Sequence, residues 1–206
     1  IESELHRLFP ATAIVRMDRD TTQRPDAHGE IYESLRSHRT SVLVGTQMIA
    51  KGLDFPQVTL VGVVSADTSL NLPDFRSGER TFDLLTQVAG RAGRGAQPGR
   101  VVIQTYCPEH YAIQAARTHN YQQFYQEELT MRRRLRLPPF VHLVELMVIG
   151  GAAPRVMEVA TSLGEQLRAR TAGSQITVVG PAPHRIPRVR STSRVCLLLK
   201  GKRVEP

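Results

Sequence analysis

Residues 87–94 read Q-V-A-G-R-A-G-R and close a predicted amphipathic helix that begins near residue 77. Spacings of three and four residues place its apolar side chains along one stripe: Phe82, Leu85, Val88 and Ala92. Arg91 and Arg94 are one helical turn apart, so they point the same way. The glycines beside them remove side chains, which allows this end of the helix to approach another surface closely. The pattern predicts a helix over residues 77–92 that presents two arginines at its C-terminal end.

Short apolar strands alternate with helices on both sides of this segment. The predicted strands are residues 13–17, 41–44, 58–64 and 101–105, and the predicted helices are residues 2–9, 26–38, 47–51 and 77–92. Near-continuous apolar strands separated by helices are typical of a parallel sheet whose two faces are covered. We therefore expect residues 1–108 to form one α/β lobe.

The composition changes after residue 108. Residues 109–136 form a polar pattern with helical spacing, and the proline pair at 138–139 stops it. The elements predicted beyond the prolines are a strand at 140–149, a helix at 155–170 and strands at 176–179 and 195–200. We therefore expect a helical connector over residues 109–137 and a small β-α-β-β domain over residues 138–206.

The chain is basic, with a net charge of +8 from 27 lysine and arginine residues against 19 acidic ones. A basic balance favours a polyanionic partner, because each neutralised phosphate releases counterions, although ribosomal and membrane-surface proteins share it. No apolar run reaches the ~20 residues that span a bilayer, and residues 1–7 lack the apolar core of a signal peptide. We expect a cytoplasmic protein with a nucleic-acid partner and no membrane partner.

The two cysteines, Cys107 and Cys196, stand far apart in the sequence, and the seven histidines are scattered. A structural zinc site needs four ligands at tight spacing, so we expect no metal site within these residues. The interpretation is two reduced cysteines, with Cys196 in a buried strand.

The arginines of residues 87–94 suit a triphosphate ligand. A guanidinium keeps its charge and presents a planar fork of donors, which can stabilise the charge that moves during phosphoryl transfer. An arginine supplied across an interface is the arginine finger of nucleotide hydrolases. The alternative is a helix C-terminus in which glycines cap the last turn and arginines satisfy its last carbonyl groups. These residues alone leave both interpretations open.

Two segments resemble superfamily 2 helicases. Q-x-x-G-R-x-G-R at residues 87–94 is similar to their motif VI, and T-Q-M-I-A-K-G-L-D-F at residues 46–55 is similar to their motif V. The second segment follows the predicted strand 41–44 at its C-terminal end, where open parallel sheets bind ligands. The resemblance implies a RecA-like helicase C-terminal lobe.

The resemblance to motif V also implies roles for individual residues. Thr46, Gln47 and Lys51 would contact the DNA phosphate track, although capping of a strand end also explains Thr46 and Gln47. Gly52 and Asp54 would lie at the nucleotide edge of an interface between two lobes. The segment would therefore bind DNA on one side and the nucleotide on the other.

The resemblance to motif VI implies the catalytic residues. Gln87, Arg91 and Arg94 would bind the γ-phosphate of ATP, with Arg94 as the arginine finger. The 206 residues contain neither a G-x-x-x-x-G-K-[ST] phosphate loop nor a D-E-x-H metal-binding box. The cofactors ATP and Mg²⁺ would be shared with a first lobe that supplies those motifs. We therefore expect that this chain alone neither hydrolyses ATP nor unwinds DNA.

Further strings narrow the resemblance to the PriA (primosomal protein N′) family of replication-restart helicases. They are V-G-T-Q-M-I-A-K-G at 44–52, D-F-R-S-G-E-R at 74–80, R-R-R-L-R-L-P-P-F at 132–140, G-P-A-P-H-R-I-P-R at 180–188 and R-V-C-L-L-L-K at 194–200. The resemblance implies part of an ATP-dependent 3′→5′ DNA helicase that recognises stalled or branched replication forks and restarts replication. The family's Zn²⁺ would be bound by a cysteine-rich insertion outside these residues.

The resemblance also implies partners. They are forked and single-stranded DNA, the single-stranded-DNA-binding protein and other primosome proteins. The alternative from a different class is a motor-dead paralogue that acts as a DNA- and protein-binding scaffold. A phosphate loop and an acidic metal-binding box in the parent sequence would favour the active helicase over the motor-dead scaffold.

Two further pairs of arginines are candidate DNA ligands. Arg76 and Arg80 belong to a string specific to the family and would lie near DNA or near the companion lobe; the alternative is a solvated helix start. Arg185 and Arg188 belong to an arginine-rich stretch of the C-terminal domain, which the resemblance associates with branched DNA. The alternative there is a basic loop with no defined ligand.

Overall fold

The computed structural model describes residues 1–18, 27–37, 40–46, 58–93 and 98–202. The chain divides into two compact units, Ile1–Phe124 and Tyr125–Pro206. The connector and the domain bounds predicted from the sequence stay predictions.

The first unit contains alternating short helices and strands. Its elements are α1 (Glu2–Leu8), β1 (Ile14–Met17), α2 (Ala27–Arg36), β2 (Val42–Gly45), β3 (Leu60–Val63), α3 (Asp67–Leu70), α4 (Ser77–Ala89), β4 (Arg100–Ile103) and α5 (Tyr111–Arg117). Within the described residues the strands pair in parallel, β1 with β2 and β3 with β4, as two separate two-stranded sheets. Parallel strands interspersed with helices confirm the predicted α/β class.

Small and aromatic side chains form the core of the first unit. Its buried members are Ala66, Phe82, Leu85, Ala112, Ile113, Ala115, Ala116 and Phe124. Phe82 on α4 stacks on Phe124, with ring centroids 4.3 Å apart. Phe82 and Leu85 are only 4% and 1% exposed, so the centre of the predicted apolar stripe is confirmed.

Helix α4 ends earlier than its pattern predicts. It stops at Ala89 instead of residue 92, and the N–H of Gly90 donates to the carbonyl of Thr86. Glycine stabilises a helix poorly, and Gly93 adopts a φ of 75° that a right-handed helix cannot contain. Arg91 therefore lies in the turn after the helix, and the prediction that it stands on the helix is wrong.

Two helices replace the single long helix predicted over residues 109–136. Helix α5 ends at Arg117, and α6 (Tyr121–Arg134) follows it. His119 between them has a φ of 51°, which breaks the right-handed helix. The Oδ1 of Asn120 then accepts a hydrogen bond from the N–H of Gln123 at 2.9 Å and caps α6.

The second unit contains a three-stranded antiparallel sheet and one long helix beside it. Its elements after α6 are β5 (His142–Gly150), α7 (Ala153–Arg170), β6 (Ile176–Val189) and β7 (Thr192–Gly201), with the strand order β5-β7-β6. This confirms the predicted β-α-β-β order. Strand β6 is much longer than the predicted 176–179. Its prolines do not end it, because β6 lies at the edge of the sheet, where a missing N–H donor is tolerated.

Helix α7 covers one face of the sheet. Val156 and Ala160 of α7 are buried with Val195 of β7, and Val148 of β5 packs against them. A Cβ on Gly164 would lie 3.2 Å from the Leu197 side chain, so a glycine lets α7 approach β7 closely. On the opposite face the apolar side chains are partly exposed, with 39% for Met147, 55% for Ile149 and 51% for Val179.

Candidate functional site

The turn after α4 holds the described part of residues 87–94. Gln87 is exposed on the last turn of α4, and Arg91 is half-buried two residues after the helix end. The N–H of Arg91 donates to the carbonyl of Val88 at 3.0 Å. Arg94 lies outside the described residues. The structure thus brings Gln87 and Arg91 to the same helix terminus.

Gly93 fixes this turn against the starts of two strands. Its N–H donates to the carbonyl of Val58, just before β3, at 3.0 Å. A Cβ on Gly93 would lie 2.5 Å from the backbone nitrogen of Gly99, just before β4. No side chain fits where these two glycines meet. The close approach predicted for the glycines of the motif is therefore present at Gly93, and the surface it meets belongs to this chain.

Thr46 follows β2 directly and is exposed. Gly45, the last residue of β2, lies opposite Met17, the last residue of β1, in the parallel register. Thr46 therefore stands at the C-terminal edge of the β1–β2 pair, where the sequence places it. The other candidates of that segment, namely Gln47, Lys51, Gly52 and Asp54, lie outside the described residues.

Arg76 and Arg80 surround a carboxylate at the start of α4. The Oδ1 of Asp74 accepts a hydrogen bond from the N–H of Arg76 at 3.0 Å, and its Oδ2 lies 2.8 Å from Nη1 of Arg80. Desolvation raises the pKa of Asp74, but the Arg76 N–H and the charges of both arginines outweigh it and hold the pKa below its ordinary value. The arginine side chains stay 50% and 44% exposed. They are ordered by Asp74 and remain accessible, so their role as DNA ligands stays a prediction.

Asp67 is a buried carboxylate that the sequence interpretation missed. It is 6% exposed and accepts hydrogen bonds from Oγ1 of Thr105 at 2.9 Å and from the N–H of Tyr106 at 3.1 Å. Desolvation raises its pKa, but these donors outweigh it and hold the pKa below the ordinary value. Asp67 thereby ties the start of α3 to the turn after β4. An aspartate soon after an apolar strand is the only signal for it in the sequence.

The C-terminal arginines lie on the hairpin formed by β6 and β7. Arg185 and Arg188 are exposed on β6, and Arg190 is exposed in the turn with a φ of 54°. Between residues 166 and 202 the chain contains no aspartate or glutamate. The hairpin therefore carries positive charge without an acidic residue of its own to neutralise it. This arrangement suits a polyanion.

Within the described ranges, no group of three histidine, cysteine or acidic side chains has a geometry that could hold a metal ion. In the same part of the chain, no helix has the length and apolar character needed to cross a membrane.

Two family profiles match the chain. The profile described as the helicase conserved C-terminal domain matches residues 3–96, and that of the primosomal protein N C-terminal domain matches residues 133–206. The first covers strands β1, β2 and β3 and the turn after α4, and the second covers the three-stranded sheet with α7. The helicase C-terminal lobe and the small C-terminal domain predicted from the sequence are thus confirmed.

Curated relatives match nearly the whole chain. The chain is 45% identical to the replication restart protein PriA of Bacillus subtilis over 98% of its own length and 25% of the relative. Identity to PriA of Synechocystis is 44% over 97% of this chain and 24% of the relative. For PriA of Treponema pallidum it is 39% over 98% of this chain and 30% of the relative. The chain spans about a quarter of the length of these proteins.

The helicase-lobe profile, the C-terminal domain profile and the PriA relatives agree with the motifs and with the fold of both units. The chain belongs to the PriA family of replication restart proteins.

Proposed function

We propose that this chain supplies the second motor lobe and the C-terminal domain of an ATP-dependent 3′→5′ DNA helicase that restarts replication at stalled or branched forks. The observation that carries the proposal is the Q-V-A-G-R-A-G-R segment, whose turn is anchored through Gly93 to the starts of β3 and β4. An arginine finger must be held in place before the reaction begins. A turn fixed by its backbone at two strands meets that requirement.

In the proposed mechanism Gln87, Arg91 and Arg94 bind the γ-phosphate of ATP. ATP and Mg²⁺ would sit between this lobe and a first lobe that contributes the phosphate loop and the metal-binding carboxylates. Charge that develops on the phosphoryl oxygens would be stabilised by the guanidinium of Arg94. Gly52 and Asp54 would line the nucleotide edge of the same interface.

DNA would bind at the C-terminal edge of β2 and on the basic surfaces. Thr46, Gln47 and Lys51 would follow the phosphate backbone, as such residues do in the helicases this segment resembles. Arg76 and Arg80 would add contacts from the start of α4. Closure of the two lobes on ATP and opening after hydrolysis would move DNA across these residues.

The C-terminal domain would bind branched DNA through Arg185 and Arg188. The chain's net charge of +8 supports a polyanionic partner. The proposed protein partners are the single-stranded-DNA-binding protein and other primosome proteins, and the proposed compartment is the cytoplasm.

The test compares this 206-residue chain with a full-length PriA protein that carries it. Phosphate release is measured with and without a forked DNA that has a single-stranded arm, and strand separation is followed by fluorescence. We expect DNA-stimulated hydrolysis and unwinding by the full-length protein, and neither by the 206 residues alone. DNA-stimulated turnover by the isolated chain would contradict the shared-site proposal. A full-length protein that binds the fork without hydrolysing ATP would support the scaffold alternative.

A further inference from the structure

Strand β6 contains a bulge beside β7. In the antiparallel register, Pro183 lies opposite Val195, and Arg188 lies opposite Ser193. The register therefore advances five residues on β6, from 183 to 188, while β7 advances two, from 195 to 193, so three extra residues leave the ladder on the β6 side. Bulges bend a strand and re-aim its side chains, and they are common where an edge strand carries a function.

His184 anchors the bulge from the inside. Its side chain is only 10% exposed, and its Nε2 lies 3.8 Å from Oε1 of Glu145 on β5. Its Nδ1 lies 3.2 Å from the backbone nitrogen of Ile186 and 3.3 Å from the carbonyl oxygen of the same residue. Either tautomer of the ring therefore has a partner on the Ile186 backbone. The position of Ile186 is fixed by a side chain that points inward.

The outer residues of the bulge combine one apolar side chain with arginines. Ile186 is 50% exposed, and it stands between Arg185 and Arg188, both of which are exposed. Pro187 restricts the backbone of the segment further and is also exposed. No acidic residue occurs on this hairpin or within the ten residues before it. An exposed isoleucine here, fixed in position and flanked by cations, is suited to a polyanion that also offers an apolar surface.

DNA with an interrupted base stack is such a partner. Proteins that deform DNA insert apolar side chains between base steps while arginines bind the neighbouring phosphates. Inserting a side chain into continuous duplex costs unstacking energy, and this cost is lowest where pairing or stacking is already broken. A branch point of DNA presents such a step beside intact phosphate backbones.

We propose that the bulge is a branch-point wedge, in which Ile186 packs against the unstacked bases at a DNA junction while Arg185 and Arg188 bind the flanking phosphates. The wedge rests on the proposed function in one respect, that this domain binds branched DNA. It adds a source of selectivity for branched over linear DNA. The arginines attract any DNA, whereas the isoleucine favours the unstacked bases at a branch point.

The experiment uses full-length PriA protein carrying this sequence and a three-armed fork with 2-aminopurine in the base pair next to the branch. A linear duplex with the same base at its centre is the comparison DNA. We expect the wild-type protein to raise 2-aminopurine fluorescence on the fork. The Ile186→Ala variant should lose most of that increase and bind the fork about tenfold more weakly, as expected when one aliphatic side chain is no longer buried. Binding to the linear duplex should change little.

Ile176→Ala is the matched control, since Ile176 lies on the same strand, is 42% exposed and loses the same atoms. It should behave like the wild type, and Ile186→Leu should keep the fluorescence increase. Thermal unfolding shows whether each variant is folded.

Equal fluorescence and affinity of Ile186→Ala and the wild type on the fork would overturn the wedge and leave the proposed function standing. A wild-type protein that does not bind the fork at all would overturn both. A third result also contradicts the wedge, namely that Ile186→Ala weakens capture of an acidic peptide and leaves fork binding unchanged. The bulge would then be a protein-binding surface.

Discussion

Arginines are presented in two different ways in the two units of this chain. In the first unit, Arg91 lies in a turn whose backbone is fixed by a hydrogen bond from Gly93 to Val58 and by the close approach to Gly99. In the second unit, Arg185, Arg188 and Arg190 lie on an edge strand and its turn, exposed and without acidic neighbours in the sequence. The first arrangement holds the turn in one position, and the second spreads charge along a surface.

The difference corresponds to the two kinds of ligand proposed for these regions, a nucleotide and DNA. A transferring phosphoryl group requires donors at fixed positions, because misplacement by about 1 Å can cost roughly 100-fold in rate. A DNA backbone repeats its charges, so an arginine that moves still finds a phosphate, and affinity depends mainly on how many phosphates are neutralised. Substitutions in the first region should therefore have large, all-or-none effects, and those in the second should have graded ones.

The largest effect is expected for Arg94→Ala in a full-length PriA protein. Removing an arginine finger leaves the charge of the transition state unstabilised, so DNA-stimulated ATP hydrolysis should fall by about 10³-fold or more. DNA affinity should stay nearly unchanged, because this residue is assigned to the nucleotide. The measurements are phosphate release and fluorescence anisotropy with labelled DNA.

Two variants test the specificity of this effect. Arg94→Lys should rescue little, because an ammonium lacks the planar fork of donors. Arg100→Ala removes an exposed arginine at the start of β4 and should leave hydrolysis unchanged. Loss of DNA binding by Arg94→Ala with hydrolysis preserved would show that this residue belongs to the DNA surface.

The next effect is expected for Gly93→Ala, which tests the anchored turn itself. The added Cβ would lie 2.5 Å from the Gly99 nitrogen, and alanine is strained at a φ of 75°. The free energy of unfolding should fall by roughly 2–4 kcal/mol, since backbone strain and overpacking each cost about 1–3 kcal/mol. Urea unfolding measures this loss, and ATP hydrolysis should fall with it.

Gly90→Ala is the control within the same motif. Its Cβ would have ordinary neighbours, the nearest being the Thr86 carbonyl oxygen at 3.5 Å, and its φ of −68° suits any residue. We expect a change in unfolding free energy within about 1 kcal/mol. Equal losses for the two variants would mean that the approach to Gly99 does not hold the turn.

Much of the first unit followed from the sequence because its signals are local and repeated. The apolar stripe through Phe82 and Leu85 predicted the buried face of α4, and apolar strands between helices predicted parallel pairing. The motif also predicted a close approach by glycine. Its partner, the segment at Gly99, was not predictable, because periodicity within a helix says nothing about which backbone lies against its end.

The remaining differences depend on single residues or on distant partners. The break between α5 and α6 depends on the left-handed backbone of His119, which an apolar pattern does not encode. Asp67 looks like any loop aspartate until Thr105 and Tyr106, almost forty residues later, are seen to donate to it. The bulge on β6 is defined by the register with β7, and the predicted strand ended at residue 179, before the bulge. Sequence patterns thus locate the elements and miss the tertiary contacts that position the candidate site residues.

The smallest effect is expected for the paired substitution of Arg185 and Arg188 by glutamine, which tests whether the second region binds by the number of its charges. Each arginine–phosphate pair that the substitution removes should flatten the slope of log K against log salt concentration by about 0.9, so the two together should flatten it by up to about 1.8. Arg155→Gln is the matched control, because Arg155 is 70% exposed on α7 and is paired with Glu158. It should leave the slope unchanged.

If both salt slopes equal that of the wild type, the hairpin does not bind the DNA backbone. A loss of affinity that is the same at all salt concentrations would mean that these arginines act through geometry, as in the first region, and the distinction between the two would fail.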